Sequence, residues 1–225
     1  MSQPTLLAVS HGSKDPAAAA AIKTLAGQVS RLAPVLRVRV AFLSHAEPSL
    51  PGELAAAGRD TVVVPLLLSA GYHLSTDIAE AARTAGARVA GPLGPDPLLT
   101  TALAARLAQA GVPPGIPVVL AAAGSADPAA SAGVGRQAAL LGELLGVQVV
   151  AAFAAAGQPS VPAAVSSLRA STGGKVAIAS YLLAPGHFQD QLSQAGADWV
   201  TEPLSGQPAL AGLVIDRYRT ASRPR

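Results

Sequence analysis

Val9-Ser10-His11-Gly12-Ser13-Lys14-Asp15-Pro16-Ala17 returns further along the chain as Ala121-Ala122-Ala123-Gly124-Ser125-Ala126-Asp127-Pro128-Ala129. Two more segments repeat in the same order. Ala41-Phe42 followed by Pro48-Ser49 recurs as Ala152-Phe153 followed by Pro159-Ser160. Leu66-Leu67-Leu68-Ser69-Ala70-Gly71-Tyr72-His73 has its counterpart in Tyr181-Leu182-Leu183-Ala184-Pro185-Gly186-His187-Phe188. The separations are 112, 111 and 115 residues. One match is weak in an Ala-rich chain, but three in register indicate a duplicated unit. The Gly/Pro-rich stretch Gly111-Val112-Pro113-Pro114-Gly115 lies between the copies, which divides the 225 residues into halves 1–112 and 113–225.

Each half alternates short apolar runs with helical stretches. In the first, Thr5–Ser10 has strand length, and a helix is expected from Asp15 to about Leu32, with Asp15 as N-cap and Pro16 in the first helical position. Val38, Val40 and Phe42 alternate with Arg37 and Arg39 inside a strand expected at 35–43. A helix then fits 49–57, a continuous apolar strand 61–68, a helix 76–85, a short strand 88–90 and a closing helix 96–109. The second half repeats the strands near 118–122, 147–153, 176–182 and 199–200. Continuous apolar strands separated by helices predict an α/β fold. The expected architecture is two tandem homologous lobes, each a mainly parallel four-stranded sheet flanked by helices, with a cleft between the lobes.

Composition narrows the chemistry. Half the residues are apolar and only 3% aromatic, so Ala, Val and Leu must build the core. With 13% charged residues, disorder is not expected. No run of about 18 apolar residues occurs, which argues against a membrane span. No basic segment precedes the first apolar stretch, so a signal peptide is not expected and the expected location is the cytoplasm. There are no cysteines, which excludes disulfides, thiolate zinc sites, cysteine-ligated iron–sulfur clusters and a Cys nucleophile. The net charge of +3 resides in the last ten residues, through Arg217, Arg219, Arg223 and Arg225 against Asp216. A solvated helix end explains that tail better than a nucleic-acid arm, since no stacking aromatics accompany it, and no nucleic-acid partner is expected.

In an open parallel sheet, ligands sit beyond the carboxyl ends of the strands. Behind the first strand come His11-Gly12-Ser13, behind the second Ser44-His45-Ala46-Glu47, and behind the third Gly71-Tyr72-His73. His187 follows the third strand of the second half, so all four histidines of the chain fall at such ends. One strand-end histidine is most simply a hydrogen-bonded turn residue; four of four suggest ligands. Imidazole suits first-row divalent metals and also carries protons near neutrality. Metal binding needs the neutral ring, so affinity should fall below about pH 6.5. Other chemistries fit less well. His11-Gly12-Ser13 ahead of a helix could cradle an anion, but the Arg that phosphohistidine enzymes place before their His is replaced by Ser10. Neither a Gly-x-Gly-x-x-Gly dinucleotide loop nor a Gly-x-Ser-x-Gly hydrolase elbow follows the first strand.

Leu7-Ala8-Val9-Ser10-His11-Gly12-Ser13-Lys14-Asp15-Pro16, Ala46-Glu47-Pro48-Ser49-Leu50 and Val64-Pro65-Leu66-Leu67-Leu68-Ser69-Ala70-Gly71-Tyr72-His73 together resemble the CbiX/SirB family over nearly the whole chain. These are class II tetrapyrrole chelatases, which insert a divalent metal into sirohydrochlorin for siroheme or cobalamin biosynthesis. The resemblance implies that His11 and His73 bind the metal and accept protons. Gly12, Ser13, Lys14, Ser44, His45, Glu47, Tyr72 and His187 are the expected substrate contacts, with Lys14 and helix N-termini attracting a polycarboxylate. Ala123 replaces His11 in the second half, which is therefore expected to have lost metal binding and to form the other wall of the cleft. Ser44 stands where members often carry Glu, leaving Glu47 and His45 as alternatives for a third metal contact. His187 aligns with Tyr72 rather than His73. The expected activity is metal insertion, with Fe²⁺ placed ahead of Co²⁺. The alternatives are a cobalt-specific chelatase of cobalamin biosynthesis or a non-catalytic tetrapyrrole or metal carrier. No cofactor beyond the metal substrate, no ATP and no iron–sulfur cluster are implied, and the chain is expected as a monomer or homodimer.

Overall fold

A computed structural model of the chain describes residues 4–69 and 72–223, and of 72–75 the backbone alone. Gly71 and Arg225 thus lie outside the described residues, as do the side chains of Tyr72 and His73. The elements are β1 (Thr5–Ser10), α1 (Pro16–Leu32), β2 (Val38–Phe42), α2 (Leu50–Ala57), β3 (Thr61–Pro65), α3 (Tyr72–Ala85), β4 (Arg88–Val89) and α4 (Pro97–Gln109). The second series is β5 (Val118–Ala122), α5 (Pro128–Leu145), β6 (Val149–Phe153), α6 (Val161–Thr172), β7 (Ala177–Tyr181), α7 (His187–Ser193), β8 (Trp199–Val200) and α8 (Pro208–Ser222).

Two four-stranded sheets result, ordered β2-β1-β3-β4 and β6-β5-β7-β8, and every strand pair is parallel. Successive residues on a strand face opposite sides. Leu6 and Leu7 are both fully buried, so the first sheet is covered on both faces. Burying each such leucine stabilises the fold by about 1.5–3 kcal/mol. One face packs Leu7, Val9, Ala41 and Val63 against Leu50 and Leu54 of α2 and Ile78 and Ala82 of α3. α1 and α8 pack on each other, and α8 also packs on β3. In the second sheet Val119, Ala121, Val176 and Ile178 meet Val165 and Leu168 of α6, with Leu192 of α7 in the same cluster.

Local signals start the helices as expected. The Asp15 carboxylate accepts from Ala17 N at 2.8 Å with Pro16 in the first turn, and Asp127 does the same for Ala129 N, also at 2.8 Å. Asp96 caps α4 through Leu98 N at 2.8 Å. The buried residues Ala18, Ile22, Leu25, Ala26 and Val29 form one helical stripe along α1.

Three features differ from the sequence reading. β3 ends at Pro65 rather than Leu68. α3 begins at Tyr72, one turn before the expected start at Thr76, and Leu74, Ile78 and Ala82 share the four-residue helical spacing. Tyr72 and His73 therefore belong to the first turn of a helix instead of a loop. The short helix α7 also had no counterpart in the expected elements.

The compact units do not follow the sequence repeat at residue 112. One gathers the chain up to Leu93 with the chain from Ser205 onward, and the other is Gly94–Leu204. Each repeat's closing helix packs with the other repeat's sheet: α4 contacts α5 and β7, while α8 contacts α1, β3 and β4. Named bonds hold these helices. Arg217 donates to the carbonyls of Pro92 (2.7 Å) and Leu93 (2.8 Å), and the Tyr218 hydroxyl donates to the Pro4 carbonyl at 2.6 Å. The buried Gln137 of α5 accepts from Asp96 N at 2.9 Å and donates to Thr100 Oγ1 of α4 at 2.8 Å. Among the described residues, no helix is long and apolar enough to cross a membrane.

In the first unit Arg39 of β2 pairs bidentately with Glu53 of α2, with Nη2 to Oε1 at 2.9 Å and Nε on Oε2. The guanidinium hydrogen bond holds the Glu53 carboxyl below its ordinary range. A carboxyl lowered on folding adds stability above its unfolded pKa, and that stability is lost as pH falls through the folded value. Glu53→Gln is therefore expected to lower unfolding stability by about 1 kcal/mol near neutrality. The difference from the parent should shrink in acid, below the folded-state pKa, as read by urea melts at both pH values.

Candidate metal and tetrapyrrole site at the strand ends

β1 and β2 are neighbours in register, with Ser10 opposite Phe42, so the segments that leave their carboxyl ends run side by side. Leu43 N donates to Ser10 O at 3.0 Å and Ser44 N to His11 O at 3.0 Å. The Ser44 hydroxyl donates to the same His11 carbonyl at 3.2 Å. Gly12 follows with φ +92°, and a Cβ there would lie 1.8 Å from the Ser44 carbonyl oxygen. Glycine is thus required twice at this position, for its backbone angle and for the close approach of a second backbone.

This clamp orients the imidazoles. The His11 and His45 rings stand edge to face, their centroids 6.5 Å apart and their planes at 81°. Both residues are exposed, and His45 has φ 59°, the one positive value among the described non-glycine residues. Ser13 Oγ accepts from Asp15 N at 3.0 Å, while Asp15 caps α1, so these two residues hold the turn that leads into the helix. Ser44, expected as a substrate contact, is half-buried and spends both its amide and its hydroxyl on the His11 carbonyl. Lys14 and Glu47 are exposed beside this turn and loop. Among the described residues, no group of three or more His, Asp or Glu side chains is placed to share one metal.

The strand order turns at β1: the chain goes from β1 to β2 on one side and then to β3 on the other. Loops leaving β1 and β3 diverge at such a switch point and open a crevice there. β1 and β3 are hydrogen-bonded neighbours, Val9 opposite Pro65, and the chain continues beyond β3 with Leu66 N donating to Val9 O at 2.7 Å. His11 follows β1 and the backbone of His73 lies in the first turn of the helix after β3, so both belong to the elements that flank this point.

The second unit keeps the backbone pairing of these loops with alanines at the positions of His11 and His45. Ala155 N donates to Ala123 O at 2.9 Å, and Gly124 (φ +98°) approaches so closely that a Cβ would sit 2.1 Å from Ala156 O. His187 is exposed and takes the first helical position of α7, the place the backbone of Tyr72 takes in α3, which matches the sequence alignment of those two residues. Its Nε2 lies 3.1 Å from Gln191 Nε2. The sequence reading identified His45 but gave no sign that its ring stands beside His11. That follows from the strand order β2-β1, which puts the first two strand-end loops next to each other.

Together these features define a duplicated, all-parallel α/β protein whose first unit carries imidazoles at its strand ends. A family model described as CbiX matches residues 5–110 and again 117–221, and the chain belongs to the CbiX family. Among solved structures, SirB from Bacillus subtilis with Fe³⁺ is similar with a TM-score of 0.80 and 25% identity, over 98% of this chain and 96% of that one. The sirohydrochlorin chelatase SirB from Bacillus subtilis subspecies spizizenii, in complex with cobalt, gives 0.78 and 22% over 99% and 97%. CbiX, described as the terminal enzyme for biosynthesis of siroheme in denitrifying bacteria, gives 0.71 and 24% over 96% and 99%. Comparison with curated proteins gave no match.

Gly12→Ala should cost about 3 kcal/mol, because backbone strain and a main-chain collision add. Gly115→Ala, where φ is +85° but the space is open, should cost about 1 kcal/mol from strain alone. Denaturant midpoints of the two variants against the parent would check the ordering.

Proposed function

We propose that this protein inserts a divalent metal ion into sirohydrochlorin. The observation that carries the reading is the double CbiX match together with His11 and His73 on the two elements that flank the switch point of the first sheet. The structural neighbours described above, solved with iron or cobalt or named for siroheme biosynthesis, support the same substrate class.

The chemistry asked of the site is limited. The metal must shed water, two pyrrole N–H bonds must break, and metal–nitrogen bonds to the macrocycle must form. In this reading His11 and His73 donate lone pairs to the hydrated cation. As the macrocycle takes the metal, each ring nitrogen regains its lone pair, accepts a pyrrole proton and releases it to water. Exposure of His11 suits that release. Lys14 and the amides at the start of α1 favour the approach of a polycarboxylate. The reaction so written draws on no ATP and no resident cofactor. Imidazole serves Fe²⁺ and Co²⁺ alike, so the reading covers both, with iron placed first.

Absorbance of sirohydrochlorin mixed anaerobically with the protein and Fe²⁺, Co²⁺ or Ni²⁺ tests this directly. Many turnovers per protein are expected; conversion that stops at one equivalent would identify a carrier instead. His11→Ala and His73→Ala should each lower the rate at least about a hundredfold. His187→Ala should lower it less than about tenfold.

A further inference from the structure

We propose that this chain associates with a second copy of itself, the groove beside the carboxyl end of α1 in one copy receiving the carboxyl end of α5 from the other. The inference does not rest on the function proposed above.

Exposure singles out the two surfaces. Among the described residues, the three most exposed large apolar side chains are Val35 (78%), Leu32 (59%) and Leu144 (58%). Exposed apolar side chains gathered at one groove mark a contact surface, unlike those scattered singly. Leu32 ends α1, and with Val35 and Leu36 it lines a groove of about 480 Å³ that the last turn of α8 bounds on the other side. Pro4 and Leu36 stand just ahead of β1 and β2, so this groove lies at the end of the first sheet away from His11. Leu144 lies in the last turn of α5 and is the repeat counterpart of Leu32, 112 residues on. Leu140, one turn earlier and half-buried, extends its apolar face.

Charge decides which surface meets which. Arg31 precedes Leu32, and Arg219 and Arg223 line the groove. Arg219 has Asp216 only at 4.0 Å, and Arg31 and Arg223 make no ion pair among the described residues. Glu143 precedes Leu144; it is exposed and likewise makes no ion pair among the described residues. The last turn of α5 holds no basic residue, so Glu143 sits at the negative end of the helix dipole without a charge to offset it. The units divide the same way: the first holds twelve basic and seven acidic residues, the second four and six.

These charges exclude the symmetric pairings. Groove against groove sets arginine on arginine, and α5 end against α5 end sets glutamate on glutamate. Groove against α5 end joins opposite charges around apolar side chains. The repeat has kept a leucine at one helical position while inverting the charge beside it, from Arg31 to Glu143, which makes the two surfaces complementary instead of alike. Every copy carries both surfaces, so the contact either closes reciprocally in a pair or repeats along a chain of copies. One groove and one helix end make a small interface, which belongs to the weak, concentration-dependent class.

Sedimentation equilibrium of the full chain tests this. The weight-average mass is expected to rise from that of one chain towards that of two or more between about 5 and 500 µM in low salt. Apparent affinity should fall at least about threefold when ionic strength is raised to about 0.5 M. Val35→Asp removes the groove and Leu144→Lys removes the matching α5 end; both positions are exposed, so melting midpoints should stay within about 3 °C of the parent. Each variant alone is expected to stay monomeric, and an equimolar mixture to recover association through its one intact contact. A parent that stays monomeric at about 500 µM would overturn the proposal. Association lost in Val35→Asp but untouched in Leu144→Lys would identify groove-to-groove pairing and overturn it as well. A mixture no more associated than either variant alone would do the same.

Discussion

Parallel pairing delivers the carboxyl ends of all strands in a sheet to one edge, and the chemistry of this protein depends on that directionality. β1, β2 and β3 run the same way, so the segments carrying His11, His45 and His73 leave the first sheet from the same end. An antiparallel arrangement of the same strands would have scattered those residues. Parallel strands need crossover helices, and the helices bury both faces of the sheet. The near-continuous Val, Leu and Ala runs are therefore the same fact as the clustering of histidines: a strand buried on both sides has nowhere for polar chemistry except its end.

The strand ends alone are not enough; they must also be held. Gly12 lets the loop behind β1 press on the Ser44 carbonyl, and Ser44 answers with two hydrogen bonds to the His11 carbonyl. The second unit keeps one backbone bond, Ala155 N to Ala123 O, and a close approach at Gly124, there to the Ala156 carbonyl, with alanines in place of the imidazoles. Scaffold and chemistry have thus been separated within a single polypeptide. The backbone pairing of the two loops persists where the histidines are gone, so that pairing is a property of the fold, whereas the left-handed His45 has no counterpart at Ala156.

Much of this was legible from residue order. The apolar runs marked the strands, and Asp15-Pro16 marked a helix start that the structure confirms as a cap; Asp96 and Asp127 cap α4 and α5 in the same way. The repeat was legible because Gly12/Gly124 and Pro48/Pro159 sit at constrained turns. What was hidden depends on three dimensions. The early start of α3 goes with the Leu74, Ile78 and Ala82 spacing, which extends one turn ahead of the expected start at Thr76. The destination of α4 and α8 could not be read, since an amphipathic helix does not announce which sheet it will cover. The nearness of His45 to His11 required the strand order, which no local pattern encodes.

The trade of terminal helices has a consequence for how the polypeptide matures on the ribosome. The unit formed by Gly94–Leu204 is contiguous, so all its parts are available as soon as it emerges. The first unit waits: β1 and β3 are made before the second unit, but α8, which packs against α1 and β3, is made only after it. Until then the apolar surface meant for α8 stays bare, and closing it requires a connection that spans nearly the whole chain, the slow kind of contact in folding. The unit whose strands are made before the other's closes after it.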